Sequence, residues 1–446
     1  MLKRIPYIGS QVFLAYMPFH IFLSQWLSTM TGGLEAWKMG KDMLLLALVL
    51  FTICLVFLQG RAGRFFKLLV GAAAVYGLLH LGLWAAHPDL YERTAMLGII
   101  YNVRLFGFAV LGAGAVLLLP KFAFSSVIKL VLGVSTAVTV LGIIQYFLPS
   151  DTLTHFGYSL ERGVRAAFFI DDNPLFPRIM STLREPNALG AYLILPTTLL
   201  SLLVFRVKDM NKRYMLGGLL GLHLIAIFLT QSRSAWLAVL VSLVLAFFWQ
   251  HREWFKQFIK RFWYVWAALV LVAVTATVLL RDTAFFQSYI VHSNKNEQVQ
   301  DLDSNDYHTL LLKQGLEGVR EQPFGHGPGT AGIVSIQNPD GGQLTENYYI
   351  QIAYEVGIAG LALFVAVNVW LYVKIWRRKD YVAVALCASF WAYFVTNMML
   401  HTWSNEAVAA QWWVLAGMAA VAGGAVTAQK RALPGRSAST RKRAAS

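Results

Sequence analysis

The 446-residue sequence has few charged residues and almost no cysteine. Asp, Glu, Lys and Arg make up 14% of the chain, whereas apolar residues make up 57% and the mean hydropathy is +0.54. A soluble protein of this length needs far more polar surface to cover its core, so this composition excludes a soluble globular fold. Both cysteines, Cys54 and Cys387, lie inside apolar blocks, which excludes an extracellular disulfide framework and disfavours a zinc site.

Other patterns are missing as well. The net charge of +15 forms no continuous basic face, because Lys and Arg occur in short clusters between apolar blocks, so nucleic acid is excluded as a partner. The glycine-rich run at residues 323–330 has no Walker or dinucleotide-binding spacing. It also has no internal repeat, which disfavours a transporter built from inverted repeats.

Apolar blocks long enough to cross a bilayer, which takes about 20 residues each, recur along the chain. The start, Met1–Arg4 before an apolar stretch, resembles a signal peptide without a cleavage site, and we interpret it as part of an uncleaved first helix. The sequence predicts an all-α integral membrane protein with about twelve transmembrane helices and a single membrane domain over residues 1–428. The predicted spans are 11–27, 43–58, 65–86, 94–119, 122–148, 188–205, 214–230, 235–249, 262–280, 348–375, 381–401 and 407–428.

Charge predicts the orientation of these spans. One set of loops is rich in Lys and Arg and nearly free of acid, as cytoplasmic loops are, whereas the remaining loops hold nearly all Asp and Glu. We therefore expect both termini in the cytoplasm, with residues 429–446 forming a basic disordered tail attracted to anionic lipid. The two long loops, 149–187 and 281–347, then lie outside the cytoplasmic membrane, the second of them between helices 9 and 10. We expect these loops to be ordered and partly helical, with an amphipathic helix at residues 310–320.

Two groups of outer arginines are candidates for binding an anion. Residues 178–190 contain Arg178 and Arg184 before Asn187 at a helix start, and a guanidinium group offers a rigid donor fork suited to phosphate oxygens. Arg233 lies in the turn Gln-Ser-Arg-Ser-Ala-Trp, where a charge near membrane depth is costly and indicates function. The alternatives are an interfacial anchor at residues 178–190 and an Arg233 side chain that reaches lipid headgroups.

Further polar candidates occur in three places. Residues 323–330, Pro-Phe-Gly-His-Gly-Pro-Gly-Thr, contain His326 and enough glycine for a ligand to approach the main chain closely. Glu346 and Asn347 open a long apolar helix, where Glu346 is either a general base beside a membrane-embedded substrate or an ordinary first-turn acid. Arg104, inside the fourth span, either pairs within the bundle or lines a lipid-phosphate cavity.

Taken in order, these segments resemble the O-antigen ligase and polymerase superfamily of bacterial membrane glycosyltransferases. The resemblance covers about residues 141–417, and its motifs are residues 178–190, the Gln-Ser-Arg-Ser-Ala-Trp turn, the Pro-Gly-rich run and residues 346–360. It implies a GT-C-like membrane fold with a large extracytoplasmic loop, and a role for Arg233 in binding the donor diphosphate. His308 stands where the family has a second loop arginine.

The family's ligases carry His-Asn where this chain has Glu346-Asn347, which weakens assignment to the ligases themselves. The resemblance implies a metal-independent, inverting glycosyltransferase that uses no cofactor. It takes a glycan from a polyprenyl-diphosphate-linked oligosaccharide, such as an undecaprenyl diphosphate, and transfers or polymerises it onto a glycan, lipid or wall acceptor. The expected catalytic residues are Glu346, Arg233 and His308, and the expected substrate-binding residues are Arg178, Arg184, Asn187, His326, Asn347 and Arg104.

Two alternatives remain at this point. A protein O-oligosaccharyltransferase of the same family would use the same donor. A transporter of polysaccharide or lipid-linked glycan would instead show polar residues through several helix centres and helices broken at midplane.

Overall fold

The computed structural model describes residues 1–119, 122–170, 173–252, 304–339 and 341–431, together with 261, 264 and 275. This part of the chain is mostly helical, and eight of its helices are long and apolar enough to cross a membrane. In chain order the helices are α1 (Ile5–Tyr16), α2 (His20–Thr31), α3 (Leu34–Leu58), α4 (Arg64–Ala86), α5 (Glu92–Leu118), α6 (Phe124–Tyr146), α7 (Pro186–Arg206), α8 (Met210–Leu229), α9 (Arg233–Gln250), α10 (Ser304–Glu321), α11 (Gly332–Ser335), α12 (Tyr348–Trp376), α13 (Tyr381–Asn397) and α14 (Glu406–Arg431).

These helices make the protein a multi-pass membrane protein. The eight candidate spans are α3–α9 and α12, and shorter apolar helices cover α13 and residues Glu406–Ala422 of α14. Apart from residues 264 and 275, the predicted span at 262–280 lies outside the described residues, as does the tail beyond Arg431, so the count of twelve stays a prediction.

Two predicted spans differ from the helices in an informative way. The predicted first span is divided into α1 and α2 by a 3-10 turn at Met17–Phe19, because Pro18 has no N–H group to continue the α-helix. Helix α3 begins at Leu34, nine residues before the predicted span, and its first turns carry Lys41 and Asp42. Hydropathy placed these charged turns outside the bilayer, but they remain helical because buried partners pair with them.

The centre of the bundle is formed by α5, α7 and α14. In the apolar windows of α5 and α7, 72% and 78% of the residues are buried, against 17% in those of α4 and α8. Helices α5 and α14 approach each other through glycines: a Cβ at Gly112 would lie 2.1 Å from the Val414 oxygen, and one at Gly417 would lie 2.1 Å from the Ala109 oxygen. Small residues of this kind allow close helix packing in membranes, where apolar burial alone does not drive association.

The loop predicted to be ordered and partly helical at 149–187 contains a 3-10 helix at Thr152–Phe156 and a short hairpin. Strand β1 (Phe168–Ile170) pairs antiparallel with β2 (Asn173–Arg178), and Phe168 lies opposite Arg178. The predicted amphipathic segment at 310–320 lies within α10. Helix α10 packs on α12, since a Cβ at Gly318 would lie 2.3 Å from the Tyr354 ring.

Helix α12 is broken eight residues after its start. Val356 has φ −120° and ψ 16°, and Gly357 has φ 71° and ψ 177°, so the helical hydrogen bonds are interrupted there. The backbone of residues 323–327 fills the break: Ile358 N donates to the Pro323 oxygen (2.9 Å) and Gly327 N donates to the Glu355 oxygen (3.0 Å). Broken membrane helices require such replacement bonds, because lipid offers no hydrogen bonds to the freed groups.

Candidate functional site

Arg178 joins the end of β2 to the turn between α8 and α9. Its Nε donates to the Thr230 oxygen (3.0 Å), and its Nη2 donates to Oδ1 of Asn187 in the first turn of α7 (3.1 Å). Burial lowers the pKa of Arg178, Glu185 opposes this shift, and the positive charge of Arg233 adds to it. Glu185 and Arg233 therefore lie within electrostatic range of the Arg178 guanidinium.

Arg233 is the first residue of α9, and its side chain is exposed. The preceding Ser232 caps the helix, with Oγ accepting from Ala235 N (3.4 Å), and Gln231 has a left-handed backbone (φ 51°). A cation at a helix N-terminus opposes the helix dipole, at a cost of about 0.3–1 kcal/mol. The helix dipole therefore does not explain Arg233, whereas an anion at this helix start would be attracted by both the guanidinium and the positive end of the helix dipole.

Arg184 and Glu185 come immediately before α7. The Arg184 side chain is exposed, whereas burial raises the pKa of Glu185. Arg184 and Arg178 oppose that rise in the pKa, and the negative charge of Glu346 adds to it. Glu185 therefore lies within electrostatic range of both arginines and of a second carboxylate. It was not among the predicted site residues, although a carboxylate directly after an arginine at a helix start is a visible signal.

Glu346 is half-buried between two buried neighbours, Thr345 and Asn347. Asn347 caps α12, with Oδ1 accepting from Tyr349 N (2.9 Å) and Ile350 N (3.0 Å), so Glu346 lies before the helix and outside its first turn. Its backbone is left-handed (φ 51°), which costs an L-residue about 1–2 kcal/mol. The interpretation of Glu346 as an ordinary first-turn acid does not fit this geometry.

These contacts bring five charged side chains to the end of the bundle where α7, α9 and α12 begin. Three non-glycine residues near these side chains have a left-handed backbone: Ser181 (φ 53°), Gln231 and Glu346. Such residues concentrate at functional sites. The cations suit an anionic ligand, and the carboxylates suit proton transfer. We call this group the arginine–glutamate cluster: Arg178, Arg184, Glu185, Arg233 and Glu346.

A histidine reaches this cluster from the connection between α13 and α14. His401 Nε2 lies 3.2 Å from Thr345 Oγ1, and the side chain is buried. Burial lowers the pKa of His401 to about 4, with the charge of Glu346 opposing the shift, so the imidazole is neutral near pH 7. Sequence reasoning missed His401, because no local pattern links it to a residue more than fifty positions earlier.

His326 lies elsewhere. Its ring stacks on Tyr354 (centroids 3.9 Å apart, 10° between planes), and burial lowers its pKa, with His87 and Glu321 within electrostatic range. None of its described contacts joins it to Glu346. The surrounding glycines permit close approach of the chain's own backbone: a Cβ at Gly329 would lie 2.0 Å from the Thr94 oxygen.

A buried carboxylate holds the Pro-Gly-rich segment in place. Glu355 Oε1 accepts from Gly329 N (3.2 Å) and Ala331 N (3.4 Å), and Oε2 accepts from Asn102 Nδ2 (2.6 Å). Asn102 Nδ2 also lies 3.1 Å from His80 Nε2. This network fixes α4, α5 and the segment to the break in α12.

Arg104 is paired inside the bundle. Its Nη1 lies 3.6 Å from Glu406 Oε1 and 3.9 Å from Asp42 Oδ1, and its Nη2 donates to the Ser404 oxygen. Lys41 pairs with both carboxylates, at 2.7 Å from Asp42 and 3.6 Å from Glu406. The structure therefore places Arg104 in an ion group, with 2% of its side chain exposed.

His308 lies in α10, but its side chain is outside the described part of the chain. The same helix approaches the site through Gly315, where a Cβ would lie 3.0 Å from Thr345 Cγ2. His308 comes seven residues before Gly315, about 10 Å along the helix.

The fold and the site define a multi-pass membrane protein with cations and carboxylates gathered at one end of its helices. Residues 218–365 match the family profile described as O-antigen ligase, about a third of the chain. The match contains Arg233, Glu346 and the break in α12, and it supports an assignment to the O-antigen ligase and polymerase superfamily, which the motifs also indicate. No curated protein matches the chain. The family indicates a glycan-transferring role in polysaccharide assembly.

Proposed function

We propose that this protein is an extracytoplasmic glycosyltransferase that transfers or polymerises glycan from a polyprenyl-diphosphate-linked oligosaccharide onto an acceptor hydroxyl. The observation that carries the proposal is the arginine–glutamate cluster: Glu185 lies within electrostatic range of Arg178, Arg184 and Glu346, and Arg233 lies within electrostatic range of Arg178. The family match supports the reaction class.

The arginines would stabilise the leaving group. As the bond between the anomeric carbon and the diphosphate oxygen breaks, its electron pair stays on the diphosphate, and negative charge grows there. Arg233 is exposed at the start of α9, where the helix dipole also favours an anion. Arg178 is anchored by Thr230 and Asn187, so it would hold the adjacent backbone in position while contributing charge.

Glu346 would act as the general base. The acceptor oxygen forms its bond to the anomeric carbon while its proton passes to the carboxylate, and attack opposite the diphosphate inverts the anomeric configuration. Glu346 and Glu185 are both half-buried, but the charges of Arg178 and Arg184 favour the ionised form of Glu185 and tie it to the arginines, so Glu346 is the carboxylate that we assign to the acceptor. Glu185 would orient the arginines.

The break in α12 is a feature expected of a transporter. Here the freed backbone groups bond to residues 323–327, and the nearby carboxylate Glu355 bonds to Asn102 and two backbone amides. These contacts describe a break sealed by the protein itself, which favours the transferase over a substrate passage.

The basic loops, which carry Arg206, Lys208 and Arg378, support a cytoplasmic position for the end of the bundle opposite the cluster. The cluster would then face outward. Labelling of a Glu317→Cys variant on α10 by a membrane-impermeant maleimide in intact cells tests this orientation, and labelling only after cell rupture would contradict it.

The decisive test replaces Glu346 by Gln in purified, detergent-solubilised enzyme supplied with a polyprenyl-diphosphate oligosaccharide. We expect transfer to fall about 100-fold or more, the usual contribution of a positioned base, with donor binding retained. Glu317→Gln, an exposed carboxylate on α10, is the matched control. Full activity of Glu346→Gln with loss in Glu185→Gln would move the base to Glu185.

The cations have their own test. Arg233→Ala should reduce transfer and weaken donor binding, because the leaving diphosphate loses a positive charge. Unchanged transfer by Arg233→Ala at normal protein levels would refute the proposed function. The length distribution of the products distinguishes a polymerase, which gives a ladder of chains, from transfer of a single glycan to a lipid, wall or protein acceptor.

A further inference from the structure

A hydrogen-bond chain runs beneath Glu346. Thr345 Oγ1 donates to the Asn347 oxygen (3.1 Å), and His401 Nε2 lies 3.2 Å from the same Thr345 Oγ1. A hydroxyl carries one proton. We assign the hydroxyl proton to the Asn347 oxygen, so that His401 Nε2 carries a hydrogen and donates it to Thr345, and the chain runs from the imidazole to the helix start.

Both neighbours of Glu346 are held by the connection between α13 and α14. Asn347 Nδ2 donates to the Met398 oxygen (3.1 Å), and Thr345 accepts from His401. Thr345 and Asn347 are at most 3% exposed, so these bonds form away from water, where their loss is costly. Glu346 is the half-buried residue between two fixed ones.

The connection that supplies His401 is itself rigid. Ser404 N donates to the His401 oxygen (3.0 Å), and Trp403 N donates to Asn397 Oδ1 (3.1 Å). Arg104 adds a bond to the Ser404 oxygen from the buried ion group. His401 thus presents its Nε2–H from a fixed position.

The turn that receives this bond is strained. Glu346 has φ 51°, and a left-handed L-residue persists only where the surrounding structure holds it. The carboxylate direction depends on that backbone conformation. Without the bond from His401, Thr345 would lose a buried hydrogen bond to a residue outside the turn, and the strained backbone of Glu346 would be held less firmly.

We propose that His401 is a positioning residue for Glu346: its Nε2–H fixes Thr345 and so holds the left-handed turn that directs the Glu346 carboxylate toward the other members of the arginine–glutamate cluster. This inference rests on the proposed function of Glu346 as a base. His401 is too buried to meet a substrate, so it acts through Thr345.

Three substitutions separate the hydrogen bond from the imidazole as such. A glutamine amide places an N–H near the position of Nε2, whereas the shorter asparagine amide does not reach it. We expect His401→Gln to keep at least half of the wild-type kcat. His401→Asn and His401→Ala should lower kcat about 10-fold or more, equal to about 1.4 kcal/mol, while the KM for the donor stays within about twofold.

A second variant guards against misfolding. Thr345→Val has nearly the same shape as threonine and removes the hydroxyl, so it should reproduce the kcat defect of His401→Asn. Because the two residues act through one bond, the double variant should be no worse than the more impaired single variant. Thermal unfolding of each variant shows that it is folded.

Several results would overturn the inference. Full kcat in both His401→Ala and Thr345→Val would show that the bond does not position Glu346. Equal losses in the Gln, Asn and Ala variants, or a raised KM with unchanged kcat, would exclude donation of one N–H as the role. Loss of transfer in Glu346→Gln with full activity in His401→Ala would refute this inference alone, whereas no transfer by the wild type would refute the proposed function with it.

Discussion

Replacement of Arg104 by Met removes one of two cations from a buried group of four charges. Arg104 Nη1 lies 3.6 Å from Glu406 Oε1 and 3.9 Å from Asp42 Oδ1, and these side chains are at most 14% exposed. At an effective dielectric constant of about 20, opposite charges 3.6 Å apart attract by about 5 kcal/mol. Lys41 alone would then face two carboxylates, and one negative charge would stay buried without compensation. We expect a loss of about 3–5 kcal/mol of folding stability, as for other buried pairs broken on one side.

Thermal unfolding in detergent measures this loss of folding stability. The readout is the height of the monodisperse peak in size-exclusion chromatography after heating to each temperature. Arg104→Met and Glu406→Gln should each lower the unfolding temperature, because each leaves one net charge in the group. The double variant restores neutrality, since Lys41 and Asp42 remain at 2.7 Å, and should recover at least half of the loss. Arg64→Met, at an exposed position at the start of α4, is the control. An unchanged unfolding temperature for Arg104→Met, or strictly additive losses in the double variant, would refute the reasoning.

Two further predictions concern packing and pH. Gly98→Ala should prevent stable folding, because the new Cβ would lie 2.3 Å from the Gly329 nitrogen. Gly217→Ala is the control: no atom lies within 4 Å of its Cβ, so the unfolding temperature should stay unchanged or rise. Similar yields of folded protein for both variants would contradict this prediction. The folded protein lowers the pKa of His401 from 6.5 to about 4. Between these two pH values His401 is protonated in the unfolded chain but neutral in the folded protein, so folding stability falls as the pH falls. The wild type should therefore lose up to about 3 kcal/mol more stability than His401→Gln between pH 7 and about pH 4, and parallel pH curves of unfolding temperature would exclude this.

The membrane class, most spans and the reaction family could be predicted from the sequence, because apolar blocks, basic loops and ordered motifs are local signals. The helix starts were less predictable. Hydropathy began the second predicted span at residue 43, after the charges, but Lys41 and Asp42 are helical in α3, where Glu406 and Arg104 from distant parts of the chain pair with them. Long-range pairing of this kind leaves no local pattern.

The same distinction applies to the site. Arg178, Arg233 and Glu346 stand in recognisable motifs, and the structure brings them to one end of the bundle. His401 and the roles of the glycines depend on contacts made only in the folded protein: Gly329 lies against Thr94 in α5. Density of glycine in the sequence indicates close approach, but it does not say whether a ligand or the chain's own backbone approaches.

The long separation of buried partners has a consequence for synthesis. Glu355 bonds to Asn102 across 253 positions, and Arg104 bonds to Ser404 across 300. During translation, therefore, α5 enters the bilayer carrying a cation and an amide for which Asp42 and His80 have been made, but Glu406, Ser404 and Glu355 have not. Until α12 and α14 are inserted, these polar groups of the N-terminal helices must face one another, water or the insertion machinery. Helix α14 supplies the carboxylate that pairs with Lys41 and Arg104. A chain that stops before α14 therefore leaves these charges without that partner, and cellular quality control can recognise it.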